Sequence, residues 1–197
     1  RNRKTEPSPP SRSHAARGPA DLASLANALS ASVNVFTYGS LMYEAVWSRV
    51  VRGQYPWVAA RLPGFRRLAI RDAAYPAVVP GAGGEVLGRL WLGVSPADAE
   101  RLDIFEGAEY LRQEVRVLTA PADRAPDLDA AKHSLQRDCG VTAQCYVWRE
   151  PARLLAQPWD AAAFEREHLA TFAQCHGADE ACHAVPAASG SKVGGNA

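Results

Sequence analysis

Two short segments hold the residues whose types and spacing favour chemistry. The first is Tyr38-Gly39-Ser40-Leu41-Met42, and the second runs from residue 102 to residue 110 with the sequence Leu-Asp-Ile-Phe-Glu-Gly-Ala-Glu-Tyr. A glycine that follows a strand lets the backbone approach a ligand and present successive N–H groups to an anion. The first segment is therefore a candidate carboxylate-binding loop, although isolated glycine turns are also common as simple strand endings.

Glu106 is the acidic residue best placed for proton transfer. It follows the apolar pair Ile104-Phe105 at the predicted carboxyl end of a helix, where the last carbonyl groups make the local potential negative. Desolvation and that potential both penalise a carboxylate, so we predict that the pKa of Glu106 is raised toward the range of a base at neutral pH. The alternative is a surface acid beside a helix-ending glycine. Asp103 and Glu109 are interpreted as structural or solvated.

Motifs for several other chemistries are absent from the sequence. It contains no G-x-G-x-x-G, no G-x-x-x-x-G-K-[ST], no H-E-x-x-H and no EF-hand loop. Ser40 lacks the second glycine of a nucleophile elbow, which argues against a serine hydrolase. The pairs Cys175-His176 and Cys182-His183, together with His168, lack the spacing of recognised metal sites. We therefore predict neither a metal nor a cofactor.

The composition and the net charge of the chain indicate which kinds of partner it binds. The chain has 197 residues, of which 47% are hydrophobic and 22% charged, as in an ordinary globular domain. Its 22 Lys and Arg residues against 21 Asp and Glu residues leave a net charge of +1, without the electrostatic footprint of a nucleic-acid binder. No stretch reaches the roughly 18 to 20 apolar residues that span a bilayer. We expect a cytoplasmic protein that binds a small molecule and neither nucleic acid nor a membrane, with its oligomeric state left open.

The folded domain is expected between residues 33 and 176. Residues 1–32 carry five cations against two acids, a net charge of +3, and we predict a disordered or weakly helical basic tail. Residues 177–197 are rich in Ala, Gly and Ser and are predicted to form a flexible tail. The polar segment 121–140 is a candidate lid, because long irregular insertions often carry function.

The elements that must position the two chemical segments follow from periodicity. Helices are predicted over residues 44–51, 96–105 and 159–174, with Ser95 and Asp160 as N-caps of the last two. Strands are predicted where apolar residues alternate or cluster, at 33–37, 58–62, 65–70, 75–80, 86–94 and around 115–117 and 145–147.

Turn residues and element order complete the predicted architecture. Pro63-Gly64 is interpreted as a turn between two strands, and residues 81–84 as a hairpin loop that follows a short edge strand. The order of elements predicts an α+β domain, with a small, strongly curved mixed sheet or barrel of about six or seven strands and a few flanking helices.

Six segments in order carry a family resemblance: Tyr38-Gly39-Ser40-Leu41, Leu62-Pro63-Gly64-Phe65, Tyr75-Pro76-Ala77-Val78-Val79-Pro80, Val86-Leu87-Gly88, Leu102-Asp103-x-Phe105-Glu106-Gly107-x-Glu109-Tyr110 and Tyr146-Val147-Trp148. Over about residues 33–174 the sequence resembles the γ-glutamylcyclotransferase-like proteins of the AIG2-like group. The resemblance implies a small mixed α/β barrel, a substrate-binding loop at Tyr38, Gly39, Ser40, Leu41 and Met42, and Glu106 as the acid/base.

The function that the resemblance implies is a γ-glutamyl cyclotransferase, which converts a γ-glutamyl amine or peptide to 5-oxoproline and a free amine without a metal. A non-catalytic module that holds a small ligand in the same cavity, or a hydrolase or lyase of another small amide, is the alternative. Five aromatic residues are candidates for the pocket walls, of which Tyr110 and Tyr146 adjoin motif strands and are preferred: Trp57, Tyr75, Tyr110, Tyr146 and Trp148.

Overall fold

The computed structural model describes residues 32–119 and 139–174. Within these ranges six strands form one sheet: β1 (Val33–Thr37), β2 (Trp57–Ile70), β3 (Pro76–Val94), β4 (Tyr110–Thr119), β5 (Cys139–Trp148) and β6 (Leu154–Pro158). Their spatial order is β3-β1-β5-β4-β2-β6, and β3 also pairs with β2. The first five strands of that order therefore close into a barrel, to which β6 is added at β2.

The strand directions make the barrel mixed. β1 runs parallel to β5, with Val35 opposite Gln144 and Phe36 opposite Cys145, while the other strand pairs are antiparallel. The carboxyl ends of β1 and β5 therefore lie at the same end of the barrel, where the antiparallel strands β3 and β4 begin. The predicted small, strongly curved mixed sheet or barrel is confirmed.

In the described part of the chain, four short helices and two turns of 3-10 helix surround the barrel: α1 (Glu44–Val50), α2 (Pro96–Glu106), α3 (Ala161–Glu167), α4 (Leu169–Gln174), Ser40–Met42 and Pro151–Arg153. The predicted start of α2 is confirmed, because the Ser95 side chain accepts a hydrogen bond from the Asp98 N–H and Pro96 opens the helix. Within the described ranges, no helix combines the length and the apolar character needed to cross a bilayer.

The turns predicted at Pro63-Gly64 and at residues 81–84 are both wrong. β2 is one strand, and Pro63 pairs with Glu85 while Phe65 pairs with Pro80, so the strands continue on both sides of an irregularity. Residues 81–84 are the extra residues of β3 at this bulge and not a hairpin loop. Proline and glycine favour turns, but both are also tolerated at a bulge, where a ladder hydrogen bond is already interrupted.

The carboxyl-terminal helix and its surroundings also differ from the prediction. The chain leaves the helical conformation at His168, with φ of −123°, so α3 and α4 replace one predicted helix. The strand β6 has no counterpart in the prediction. The N-cap is confirmed, since the Asp160 carboxylate accepts hydrogen bonds from the N–H groups of Ala162 and Ala163. The predicted tails and the candidate lid lie almost wholly outside the described residues and stay predictions.

The core consists of two layers separated by the barrel wall. Side chains that alternate along the barrel strands fill the interior: Phe36, Tyr38, Ala60, Leu62, Val78, Val86, Leu90, Val115, Val117, Ala143, Cys145 and Val147. The second layer packs the helices on the outside, where the rings of Trp47 on α1 and Trp91 on β3 stack with centroids 4.0 Å apart. This packing brings α2 against the barrel and places its last residue at the end where β1 stops.

Candidate active site

A pocket of about 370 Å³, including its open mouth, lies at the end of the barrel where β1 stops and β3 and β4 begin. Residues from the loop after β1, the start of β3, the end of α2, β4 and α4 line it: Tyr38, Gly39, Ser40, Tyr75, Pro76, Phe105, Glu106, Tyr110 and Phe172. Both segments that the sequence singles out for chemistry therefore contribute to one cavity.

Glu106 is the last residue of α2 and lines this pocket. Part of its surface stays open to the cavity, while protein atoms crowd the rest of the side chain. Within the part of the chain that the structure describes, its carboxyl group forms no hydrogen bond or ion pair. This burial raises the pKa of Glu106 to about 8, so the predicted direction is confirmed.

The loop that follows β1 turns sharply at Gly39. The Met42 N–H donates to the Gly39 carbonyl at 3.0 Å and the Tyr43 N–H donates to the Ser40 carbonyl at 3.1 Å, which forms the 3-10 turn. The hydrogen bonds among the described residues leave the N–H groups of Ser40 and Leu41 unused. The loop therefore begins with backbone donors that an anion can engage.

Gly39 is required by a close approach and not by an unusual backbone angle. Its φ of −128° is open to any residue, but a Cβ atom at this position would lie 2.7 Å from Cγ and 2.9 Å from Cδ of Pro76. Gly39 and Pro76 both line the pocket. A side chain at Gly39 would therefore displace the opposite wall.

Arg67 of β2 stabilises the same loop through a hydrogen bond to its backbone. Its Nη1 donates to the Tyr38 carbonyl at 2.8 Å, and its guanidinium lies 5.1 Å from the centroid of the Trp159 ring. Burial lowers the pKa of Arg67 from its ordinary value. Nothing in the sequence singles out Arg67, because an arginine within a strand carries no local pattern that separates it from a surface cation.

Two tyrosines form rigid walls because their hydroxyl groups bond to the backbone. Tyr38 donates to the Tyr146 carbonyl at 2.6 Å, and Tyr110 donates to the Pro76 carbonyl at 2.8 Å. Burial raises the pKa of both hydroxyls well above the ordinary value, so both stay protonated. Their rings therefore face the pocket in one orientation.

Tyr75 connects the pocket to a charged pair beside it. Its hydroxyl donates to Glu109 Oε2 at 3.2 Å, while the other oxygen of Glu109 pairs with Nη1 of Arg153. The Arg153 guanidinium also lies 5.4 Å from the centroid of the Trp148 ring. Burial, followed by the nearby Glu109 charge, raises the pKa of Tyr75 to about 12. Glu109 is thus structural, as the sequence analysis interpreted it.

Five of the eight predicted site residues line the pocket, namely Tyr38, Gly39, Ser40, Glu106 and Tyr110. The structure does not bring the other three to its wall. Leu41 and Met42 are buried in the core beneath the loop, and the Tyr146 hydroxyl points to α2, where it donates to Asp103 Oδ1 at 2.7 Å. Trp57 and Trp148 are not lining residues either.

The remaining lining residues carry no assigned site role in the sequence analysis. Tyr75 is only a secondary aromatic candidate there, Pro76 and Phe105 belong to motif segments without a stated role, and Phe172 is only a periodic position of the last helix. The periodic face that Phe172 shares with Phe164 indicates burial and not a cavity. Of the side chains weighed as metal ligands, His168 lies between α3 and α4, and the two Cys-His pairs lie outside the described residues.

The gamma-glutamyl cyclotransferase, AIG2-like family model matches residues 35–161, a range that contains every lining residue except Phe172. The chain belongs to this family. The AIG2-like protein D of Arabidopsis thaliana is 32% identical to it over 141 residues, which cover 71% of this chain and 83% of that protein.

Two solution structures of Arabidopsis thaliana proteins have the same fold as this AIG2-like chain. One is 28% identical with a TM-score of 0.52 and covers 72% of this chain and 77% of its own. The other is also 28% identical, with a TM-score of 0.50, and covers 72% of this chain and 86% of its own. Family membership thus establishes a gamma-glutamyl cyclotransferase-like fold, whereas chemistry depends on the site.

Proposed function

We propose that this AIG2-like protein is a γ-glutamyl cyclotransferase that converts a γ-glutamyl amine or peptide to 5-oxoproline and a free amine. The observation that carries the proposal is the state of Glu106. Its carboxyl is desolvated, lacks a polar partner among the described residues, and lines the same pocket as Gly39 and Ser40. A carboxyl in this state is suited to exchange protons with a bound substrate.

The bond changes need no nucleophile from the protein. The α-amino nitrogen of the substrate attacks its own γ-carbonyl carbon, a C–N bond closes the five-membered ring, and the C–N bond to the leaving amine breaks. The protein must hold the substrate folded with the two atoms in contact. Such orientation contributes up to roughly 7 to 11 kcal/mol toward the barrier.

Glu106 moves the proton that this reaction must transfer. An α-ammonium group cannot attack, so the Glu106 carboxylate accepts a proton from it and returns one to the departing amine. A pKa of about 8 leaves both protonation states accessible near neutral pH. Acid/base catalysis of this kind typically contributes roughly 10²- to 10⁴-fold.

The rest of the pocket binds and shields the substrate. The Ser40 N–H at the turn lies in a lining residue of the pocket and is a donor for the α-carboxylate or for the developing oxyanion. The aromatic rings of Tyr75, Tyr110 and Phe172 restrict water at the pocket wall. Exclusion of water favours ring closure over hydrolysis of the same carbonyl.

The test is an assay with γ-glutamyl dipeptides, γ-glutamyl-ε-lysine and glutathione, in which 5-oxoproline is detected by mass spectrometry. Glu106→Gln is expected to lower kcat/KM by at least roughly 100-fold, because the amide cannot accept the proton. Glu100→Gln is the matched control, since Glu100 is an exposed acid on the same helix.

Other outcomes would identify the alternatives. Absence of 5-oxoproline from every substrate, or unimpaired turnover by Glu106→Gln, contradicts the proposal. Thermal stabilisation by a γ-glutamyl compound without any product indicates a binding module. Release of open-chain glutamate indicates a hydrolase.

A further inference from the structure

Glu106 is the one side chain with a carboxylate, ammonium, guanidinium or imidazole group among the lining residues that the structure describes. Besides Tyr38 and the loop residues Gly39 and Ser40, the walls consist of four aromatic residues and one proline: Tyr75, Phe105, Tyr110, Phe172 and Pro76. A charged group that enters this cavity loses hydration, and along the described lining it gains a partner at Glu106 or at the loop, from the backbone N–H groups and the Ser40 hydroxyl.

The polar groups of a γ-glutamyl substrate would occupy these hydrogen-bonding partners. In the reaction proposed above, the α-amino group must contact Glu106, and the α-carboxylate or the oxyanion uses the N–H groups near Ser40. The surface that remains for the amine portion is aromatic. Two cations lie behind the wall, and both are engaged. Arg153 is paired with Glu109 and lies over the Trp148 ring, and Arg67 donates to the Tyr38 carbonyl and lies over the Trp159 ring, so neither is a free partner for a second carboxylate.

Phe172 is the wall residue that α4 supplies. It belongs to α4, beyond the residues that the family model matches, and it is only 4% exposed. Its ring packs edge-on against Tyr75 with centroids 6.3 Å apart and against Phe164 at 5.2 Å. The size of this one ring therefore changes the pocket without altering a barrel strand.

We propose that Phe172 is a specificity residue which favours γ-glutamyl amides with an apolar amine portion and limits the size of that portion. The proposal rests on the proposed function of the site. Its physical basis is the aromatic wall, which gains from contact with apolar groups and offers no partner to a charge. A difference of one methylene in such a pocket changes kcat/KM by roughly 10- to 200-fold.

The first measurement compares two substrates that differ in charge and not in size. The leaving groups of γ-glutamylglycine and γ-glutamylbutylamide have equal numbers of heavy atoms, but the first bears a carboxylate. We expect kcat/KM to favour the butylamide by at least roughly tenfold. Equal values, or a preference for γ-glutamylglycine, would overturn the apolar preference.

The second measurement changes the size of the wall. The substrates are γ-glutamyl-naphthylmethylamide, with a large amine portion, and γ-glutamyl-benzylamide, with a smaller one. Phe172→Leu enlarges the pocket and is expected to raise the ratio of kcat/KM for the large amide to kcat/KM for the small amide by roughly tenfold. Phe172→Trp is expected to lower the same ratio. Phe164→Leu is the matched control, because Phe164 is 1% exposed and packs on Phe172 but does not line the pocket. A merely structural role would lower kcat/KM for both amides by the same factor.

The possible failures are distinguishable. If no substrate yields 5-oxoproline, the proposed function fails and this inference fails with it. If the wild type forms 5-oxoproline but Phe172→Leu and Phe172→Trp leave the ratio unchanged, or Phe164→Leu shifts it equally, the cyclotransferase activity stands and the role of Phe172 is wrong.

Discussion

Three acidic residues lie close together in sequence near the pocket, and their surroundings separate their roles. Asp103 accepts from the Tyr146 hydroxyl and pairs with Nε of Arg112 at 2.9 Å. Glu109 binds Tyr75 and Arg153. Within the described residues Glu106 has no such partner, so its charged form is the least stabilised by neighbouring groups. At the scale of single residues, the absence of a partner is what makes a carboxyl group suitable as a base.

The same property makes Glu106 costly for stability at high pH. Its pKa rises from the ordinary 4.5 to about 8 in the folded protein, so between these values the folded state holds a proton that the unfolded chain has lost. Stability therefore falls as pH rises through this window. Glu106→Gln should be more stable than the wild type by roughly 2 to 4 kcal/mol at pH 8.5, with little difference at pH 4, because a tenfold difference in proton affinity corresponds to about 1.4 kcal/mol.

Urea unfolding at the two pH values measures this difference. Glu100→Gln is the control, since the exposed carboxyl on the same helix should show no comparable dependence. A stabilisation of Glu106→Gln that is equal at both pH values, or a destabilisation at pH 8.5, would contradict the assignment of a desolvated carboxyl.

Gly39 and Pro76 should be coupled energetically. Gly39→Ala places a Cβ atom 2.7 Å from Pro76 Cγ, which overpacks the loop and should cost roughly 1 to 3 kcal/mol of unfolding free energy. Pro76→Ala removes Cγ and Cδ, so the double variant should regain most of that loss. Urea unfolding of the two single variants, the double variant and the wild type gives the interaction energy. Purely additive losses would show that the contact is not the reason for glycine at this position.

At the scale of elements, α2 delivers Glu106 to the pocket because both of its ends are attached. Near its start, Asp98 is 3% exposed and accepts from the N–H groups of Arg52 and Gly53 at 2.9 Å each and from the Tyr55 hydroxyl at 2.6 Å. At its other end, Asp103 receives the Tyr146 hydroxyl from β5. The helix is thereby held to the loop after α1 and to the barrel.

Asp98→Ala should destabilise the protein by roughly 2 to 4 kcal/mol, because buried donors lose their acceptor. Desolvation acts to raise the pKa of Asp98, but hydrogen bonds from Tyr55, Arg52 and Gly53 outweigh it and hold this pKa below its ordinary value. The contribution is therefore present above the unfolded pKa of 3.8 and is lost as pH falls through the folded pKa. Urea unfolding at pH 7 and pH 3 tests this.

Tyr55→Phe provides the graded comparison, since it removes the hydroxyl that donates to Asp98 and accepts from the Ser95 N–H at 3.2 Å, and it leaves the carboxylate in place. Its expected loss is roughly 1 to 2 kcal/mol. A loss from Asp98→Ala no larger than that from Tyr55→Phe at pH 7 would mean that the backbone hydrogen bonds do not hold the helix.

At the scale of the whole molecule, closure of the barrel decides which residues meet. The parallel pair β1 and β5 places Tyr38 beside Tyr146, although 108 residues separate them in sequence. The interior side chains hold the five strands in this order. The shape of the site therefore depends on the packing of the barrel interior, and no single site residue determines it.

Leu90 and Leu111 offer a matched test of the interior packing. Leu90 in the barrel interior is 0% exposed, and Leu111 on β4 is 52% exposed. Leu90→Ala should cost roughly 2 to 5 kcal/mol of unfolding free energy, because a cavity remains in the barrel. Leu111→Ala should cost within about 0.5 kcal/mol. Urea unfolding compares them, and similar losses would contradict the placement of Leu90 inside a closed barrel.

Local patterns determined much of the fold and half of the site. Alternation along 86–94, the Ser95-Pro96 start of α2, and the Asp160 cap act over a few residues, so the sequence predicts them correctly. The Pro63-Gly64 turn and the hairpin loop at 81–84 failed because the same residues suit a turn and a bulge equally. Which one forms depends on how the partner strand pairs.

The sequence by itself determined most of the element types, the family, and an acid that follows an apolar pair at a helix end. Tertiary structure alone decided that Tyr38, Gly39 and Ser40 face Glu106 across one pocket, that Tyr146 turns to α2 instead, and that Phe172 closes the wall from the last helix. The physical reason is the separation along the sequence over which each interaction acts. Hydrogen-bond caps and periodic burial act within a few residues, whereas desolvation of a carboxyl and the shape of a cavity arise from side chains that only chain packing brings together.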